Sequence, residues 1–193
     1  MAKIVLASGS PRRRELLTGL GIEFEVRPSS IPEEPRPEES PRQYVERLAT
    51  EKAAFVAREV TGSIVIGADT VVVINDLLLE KPKDRDDARQ MLRRLSGQWH
   101  TVLTGLCLIQ TDTAKIVSDV ESTQVLFHQL TDEDIEWYLD TGEPFDKAGA
   151  YAIQGHGSLI VDKVEGNYFN IVGLPINLLR RLAHELGSEV RNW

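Results

Sequence analysis

The chain is short of several things, and each shortage excludes something. Of its 193 residues one is a cysteine, Cys107, and 6% are aromatic. A lone cysteine rules out an intramolecular disulfide and suits a reducing compartment. It also rules out zinc sites built from sets of cysteines. No apolar run approaches the ~20 residues that a membrane-spanning helix requires. The opening stretch MAKIVLASGS meets charge too early for a signal peptide. A cytoplasmic protein with no membrane partner is therefore expected. Positive charge is scarce as well: 22 Lys and Arg stand against 30 Asp and Glu, a net charge of -8. A broad basic face for nucleic acid is not expected, and the few aromatics leave little for stacking on bases. An acidic chain with a local basic cluster suits a small anionic ligand. The motifs G-x-x-x-x-G-K-[ST], H-E-x-x-H and G-x-S-x-G are all missing. P-loop, HExxH metalloprotease and serine hydrolase chemistry lose their support with them. His100, His128, His156 and His184 lack ligand spacing and read as structural or exposed.

What is present reads as one sizeable domain, or one domain with two lobes. KIVLAS is a buried strand, followed by a helix over residues 10–20 that ends near Gly21. Residues 28–41, PSSIPEEPRPEESP, hold too many prolines for a helix or a central strand and form a loop, either a linker or a lid. A long helix over 41–60 begins at Ser40-Pro41. SIVIGADTVVVI is a β-branched strand, turned at Asn75-Asp76 into LLLE. Asp84 caps the next helix, whose Ala88, Met91, Leu92 and Leu95 recur at helical spacing, and Gly97 stops it. Strands follow over 99–109 and 115–127. Thr131 with Asp134 caps a further helix. GSLIVDKV is a strand, LPINLLRRLAHELG an amphipathic helix, and the tail over 188–193 is expected to be loose. The alternation predicts an α/β fold with a mixed sheet.

Several charges stand where this pattern calls for something else. SGSPRRR places Arg12, Arg13 and Arg14 in the first turn of a helix capped at Ser10, although a helix N-terminus is already partly positive. An anion bound there would reconcile them, because helix N–H groups and guanidinium groups attract the same phosphate. At about 100° per residue, Lys52 falls inside the arc formed by Tyr44, Val45, Leu48, Ala49, Ala53, Phe55 and Val56. It either snorkels to water or projects from the packed side toward a ligand. Glu46, Arg47 and Glu51 fall outside the arc, as a solvated face. Asp69 interrupts a β-branched run, and a buried carboxylate needs a partner or a metal. Lys81 follows LLLE. The glycine-rich DKAGAYAIQGHGS suits a loop that turns backbone N–H groups toward a ligand. Basic Arg12, Arg13, Lys52 and Lys81 beside Asp69 and a loop glutamate suit metal-assisted hydrolysis of a polyphosphate ester.

The segments LASGSPRR, ESPRQYVERLATEKA, VIGADTVVV, EKPKD, MLRRLSGQWHTVLTG, EPFDKAGAYAIQG and EGNYFNIVGLP, in this order, resemble the Maf family of nucleoside triphosphate pyrophosphatases over residues 3–186. That resemblance implies a single domain over 1–187, similar to the inosine triphosphate pyrophosphatases, with two lobes around a deep cleft. It implies hydrolysis of a nucleoside triphosphate to the monophosphate and pyrophosphate with a divalent cation, Mg²⁺ or Mn²⁺. Asp69 matches the catalytic proton acceptor. Arg13, Lys52 and Lys81 match phosphate-binding residues, Ser8 or Ser10 the serine of the first loop, and Glu33 the loop glutamate. Glu33 and Asp69 are then the metal residues. Relatives read Asp-x-Asp-Glu where this chain has Ser30-Ile31-Pro32-Glu33. Arg12, Thr70 and Gln154 match the positions that tune base choice, and they read as in members similar to dTTP and UTP pyrophosphatases. A non-catalytic nucleotide-binding regulator, for example of cell division, would use the same residues without turnover. The sequence leaves open a homodimer and a preference for modified pyrimidine nucleotides.

Overall fold

The structure is a computed structural model and describes residues 2–193. Seven strands, β1 (Lys3–Leu6), β2 (Phe24–Val26), β3 (Ser63–Ile74), β4 (Leu77–Leu79), β5 (Trp99–Gln110), β6 (Lys115–Phe127) and β7 (Val161–Glu165), form one sheet. Its order is β2-β1-β3-β5-β6-β7, with β4 paired to β3. β1 runs parallel to β2 and β3, whereas β4 and β7 pair antiparallel with β3 and β6, so the sheet is mixed as expected. Among the described residues six α-helices accompany it: α1 (Pro11–Gly19), α2 (Pro41–Ala57), α3 (Arg85–Leu95), α4 (Asp132–Asp140), α5 (Tyr168–Val172) and α6 (Ile176–Leu186).

Local chemistry sets most of the ends. Ser40 and Gln43 form a reciprocal capping box before Pro41, Asp84 accepts from the Asp87 N–H, and Thr131 and Asp134 form a second box. Asn75 and Asp76 both have positive φ, the geometry of a two-residue hairpin turn joining β3 to β4. Two expectations need correction, and one helix had no counterpart in the sequence reading. The strand expected over GSLIVDKV begins only at Val161, because Gly155–Leu159 coils into a 3-10 turn. α5 was not foreseen: five residues are too few to show a helical period. The tail is not loose. Val190–Asn192 makes a 3-10 turn, Trp193 donates its indole N–H to Ser188 Oγ, and both Val190 and Trp193 pack on the core beside α6.

The chain divides into two compact units. One holds the residues up to Asp69 with Thr104–Glu121 and Gly173–Trp193; the other holds Thr70–Leu103 and Ser122–Val172. In the first unit, alternation along β1 and β3 separates two cores. Ile4, Leu6, Ile64, Ile66 and Ala68 pack with Leu17 of α1 and the apolar stripe of α6. Val5, Ala7 and Val65 pack with Ala49, Ala53 and Val56 of α2. α2 lies directly on the strands at two glycines. A Cβ on Gly67 would stand 2.1 Å from the Ala49 carbonyl oxygen, and one on Gly105 would stand 2.2 Å from that of Val45. Ala49 and Val45 are one helical turn apart, so the glycines of β3 and β5 seat successive turns. The second unit packs α3 and α4 with residues of β3 to β6 around Phe127, Tyr138 and Tyr151. No described helix is long and apolar enough to cross a membrane.

Candidate active site

Gly67 and Asp69 point to the same face of β3, because side chains alternate along a strand. That face carries α2. Lys52, one turn beyond Ala49, therefore arrives next to Asp69. Its Nζ lies 2.7 Å from Asp69 Oδ1 and 2.7 Å from Glu33 Oε1. Lys52 is 8% exposed and Asp69 6%. The lysine does not snorkel to water; it is the buried partner that Asp69 required. Glu33 reaches in from the proline-rich loop with half of its side chain still exposed.

Arg13 resolves the puzzle of the first helical turn. It does not lie along the surface but is buried, and it donates from Nε to the Gly173 carbonyl at 2.7 Å. Nη1 donates to the Ala68 carbonyl and to Ser8 Oγ, each at 2.9 Å. Burial pulls its pKa below the ordinary arginine value, while the charge of Asp69 acts in the opposite sense. Ser8 is buried and its Oγ also accepts from the Ser10 N–H at 3.3 Å. Both of those bonds use oxygen lone pairs, so the hydroxyl proton remains as a donor for a ligand oxygen. Ser10 occupies the N-cap position, but, contrary to expectation, its side chain makes no capping hydrogen bond. Arg12 is half-buried in the same turn.

The proline-rich loop is fastened to α2 by a residue that helical periodicity assigned to solvent. Arg47 donates to both carboxylate oxygens of Glu39, at 2.6 and 2.7 Å, and to Glu51 at 3.1 Å. Its Nη2 also reaches the Glu34 carbonyl at 3.0 Å, and the Tyr44 hydroxyl donates to the Glu33 carbonyl at 3.1 Å. Hydrogen bonds from Arg47 hold the Glu39 carboxyl down to about pKa 2 against the opposing effect of burial. Glu33 is thereby held from behind. Nothing in the sequence paired Arg47 with Glu39, because the loop has no period from which to read its facing side.

Thr70, Lys81 and Gln154 belong to the second unit. Thr70 follows Asp69 on β3 and is half-buried; Lys81 and Gln154 are exposed. The N–H groups of the glycine-rich segment were expected to face a ligand, and three of them are taken inside the protein. Gly149 donates to the Glu80 carbonyl at 3.0 Å. His156 and Gly157 donate to the two oxygens of Glu143 at 3.0 and 2.9 Å. The histidines behave as read: His100 is buried and the other three are exposed. Cys107 is fully buried, and desolvation lifts its thiol to about pKa 11.

The donor chemistry fits a hard divalent cation. Two carboxylate oxygens already converge on one positive group, each 2.7 Å from the same nitrogen. No cluster of three or more His, Cys, Asp or Glu exists among the described residues. Mg²⁺ is commonly held by one or two carboxylates together with substrate phosphates, so such a cluster is not required for it.

The family model for Maf-like protein matches residues 3–186. The chain belongs to the Maf-like family. A dTTP/UTP pyrophosphatase of Thermoanaerobacter sp. strain X514 is 57% identical over 178 residues, covering 92% of this chain and 93% of that one. One from Alkaliphilus oremlandii is 53% identical over 193 residues, 100% and 96% of the two chains. Among solved structures, a HAM1 protein from Coxiella burnetii aligns at 14% identity over 67% of this chain and 75% of that one. The TM-score of that match is 0.45. This Maf-like chain thus keeps Ser8, Arg13, Glu33, Lys52 and Asp69 within one compact unit.

Proposed function

We propose that this chain hydrolyses dTTP and UTP to the monophosphate and pyrophosphate. The observation that carries the reading is the buried Lys52, gripped by Asp69 and Glu33 beside the carbonyl-anchored Arg13, in a chain over half identical to dTTP/UTP pyrophosphatases. Arg13, Lys52 and Ser8 supply donors to phosphate oxygens. The Asp69 carboxylate meets Lys52 through Oδ1, so Oδ2 is the oxygen proposed to take a proton from the attacking water. The water oxygen bonds to the α-phosphorus, the bond from that phosphorus to the β-bridging oxygen breaks, and pyrophosphate leaves with the electron pair. Glu33 and Asp69 would hold the divalent cation, which when bound neutralises charge developing on the phosphates.

Thr70, Lys81, Arg12 and Gln154 enter through the family resemblance. Lys81 adds a phosphate contact. Arg12 only donates hydrogen bonds, and so favours the carbonyl of uracil or thymine over the amino group of cytosine. Gln154 both donates and accepts, which matches a carbonyl beside the N3–H. A site built on such bonds rejects the wrong base, because its own polar groups would be left unpaired. One buried cysteine supports a cytoplasmic setting.

The test is pyrophosphate release from a panel of nucleoside triphosphates, with Mg²⁺ or Mn²⁺ and with EDTA, for the native chain and for Asp69→Asn. Release from dTTP and UTP, lost with EDTA and reduced about 100- to 10,000-fold by the substitution, is expected. Nucleotide binding with no release from any triphosphate would overturn the reading, as would near-native turnover by Asp69→Asn.

A further inference from the structure

EPFDKAGAYAIQG contains a glutamate that the chemistry above does not use. Glu143 lies just beyond α4, and its side chain is largely buried. Its Oε1 accepts from the Tyr138 hydroxyl at 2.8 Å and from the Gly157 N–H at 2.9 Å. Its Oε2 accepts from the His156 N–H at 3.0 Å. The Tyr138 oxygen in turn accepts from the Ala152 N–H at 3.0 Å. The chain is therefore clipped at Ala152 and again at His156 and Gly157, through one continuous hydrogen-bonded unit. Gln154 is the residue between the clips. It is exposed, with extended backbone, and the next residue, Gly155, has φ +68°. A Cβ on Gly155 would stand 2.5 Å from Glu143 Oε2, so the glutamate packs under the turn as well as bonding to it.

We propose that the Tyr138–Glu143 pair is a positioning device for base selection, fixing the backbone that presents Gln154 before the nucleotide arrives. The inference rests on the reading of Gln154 as a base contact. Its physical content is preorganisation. A backbone held on both sides of Gln154 has already lost part of the freedom that binding would otherwise remove, and an unclipped turn must be ordered by the nucleotide itself. Both oxygens of Glu143 accept, so Glu143→Gln must set an NH₂ group against at least one N–H or O–H donor, whichever way the amide turns. Tyr138→Phe removes a single oxygen and leaves both the Ala152 N–H and Glu143 one partner short.

The experiment measures kcat and KM for UTP and CTP, together with the melting temperature, in Glu143→Gln, Tyr138→Phe, Gln154→Ala and the Glu143→Gln/Gln154→Ala double variant. In either clip variant the UTP-over-CTP ratio of kcat/KM should fall about tenfold, the equivalent of about 1.4 kcal/mol, with the loss carried mainly by KM for UTP. In the Gln154→Ala background, Glu143→Gln should change that ratio by no more than about twofold, since coupled residues are not additive. If Glu143→Gln does not fold, Tyr138→Phe carries the same comparison. A lowered melting temperature with an unchanged UTP-over-CTP ratio would make the clip merely structural and overturn the proposal. An equally large loss of selectivity in the Gln154→Ala background would do the same. Absence of UTP hydrolysis by the native chain would instead remove the parent reading, and this one with it.

Discussion

Replacing Lys52 by Met tests the arrangement most directly. The substitution keeps most of the apolar stem and removes the charged end, leaving Asp69 at 6% exposure without the ammonium 2.7 Å away. At that separation the direct attraction is about 6 kcal/mol for an effective dielectric constant of about 20, most of it offset by the cost of taking both groups out of water. Removing only one partner leaves the other's desolvation uncompensated, which typically costs about 3–5 kcal/mol. The charge of Arg13 still acts near Asp69, and Glu33, half exposed, regains water, so the lower end, near 3 kcal/mol, is expected. For a chain of this length each kcal/mol lowers the melting temperature by roughly 2–4 °C, giving a fall of about 6–12 °C. Thermal melts followed by circular dichroism would measure it. The double variant Lys52→Met/Asp69→Asn removes both charges and should recover at least half of the loss. A single variant that melts within about 2 °C of the parent, or a double variant no better than the single, would refute the buried-pair argument.

Two further outcomes follow from groups outside the carboxylate pair. Arg47→Ala should free the proline-rich loop, increasing hydrogen exchange and proteolytic cleavage over residues 30–40, with a stability loss of about 1–3 kcal/mol for the charge-assisted bonds; unchanged protection of the loop would show that Tyr44 alone holds it. Because Glu39 is held down to about pKa 2 from 4.5, that fastening is complete above about pH 4.5 and is lost as pH falls through about 2. His100 gives a slope in a different window. Burial lowers its pKa from 6.5 to about 4 despite the Gln98 carbonyl, and its Nε2 lies 2.9 Å from the Tyr151 hydroxyl. The unfolded chain takes up this proton first, so the contribution is full above pH 6.5 and drains away as pH falls toward 4, by up to about 3 kcal/mol. Melting temperature against pH should lose that slope in His100→Gln, and identical slopes in the two proteins would contradict it.

The readable part of this site was the part that broke a pattern. Lys52 interrupts an apolar helical arc and Asp69 interrupts a β-branched strand, so each announced itself through the cost of burial before either had a known partner. That they partner each other depends on how α2 is seated on β3, which no local period specifies. Arg47 escaped notice for the opposite reason: it stands on the face a helical wheel gives to water, and the loop that covers it has no repeat. Arg13 was legible as an oddity, but the carbonyls of Ala68 and Gly173 that occupy it come from distant parts of the chain. The glycine-rich segment reads as a place where backbone N–H groups face a ligand. Two of those groups instead meet the chain's own Glu143, whose neighbours in sequence give no hint of the turn it supports. Strand and helix bounds were legible where caps and turn residues mark them, and failed at Gly155–Leu159 and α5, segments too short for periodicity.

Gly67 and Gly105 bear neither side chain nor charge, yet they set the height at which α2 lies on the strands. A methyl group on either would collide with a helix carbonyl and force α2 to ride higher, and the ammonium of Lys52 would travel with it. Displacements of about 1 Å in a reacting constellation can cost about 100-fold in rate. A variant at either position is therefore expected to lose turnover although every residue of the proposed site is still present.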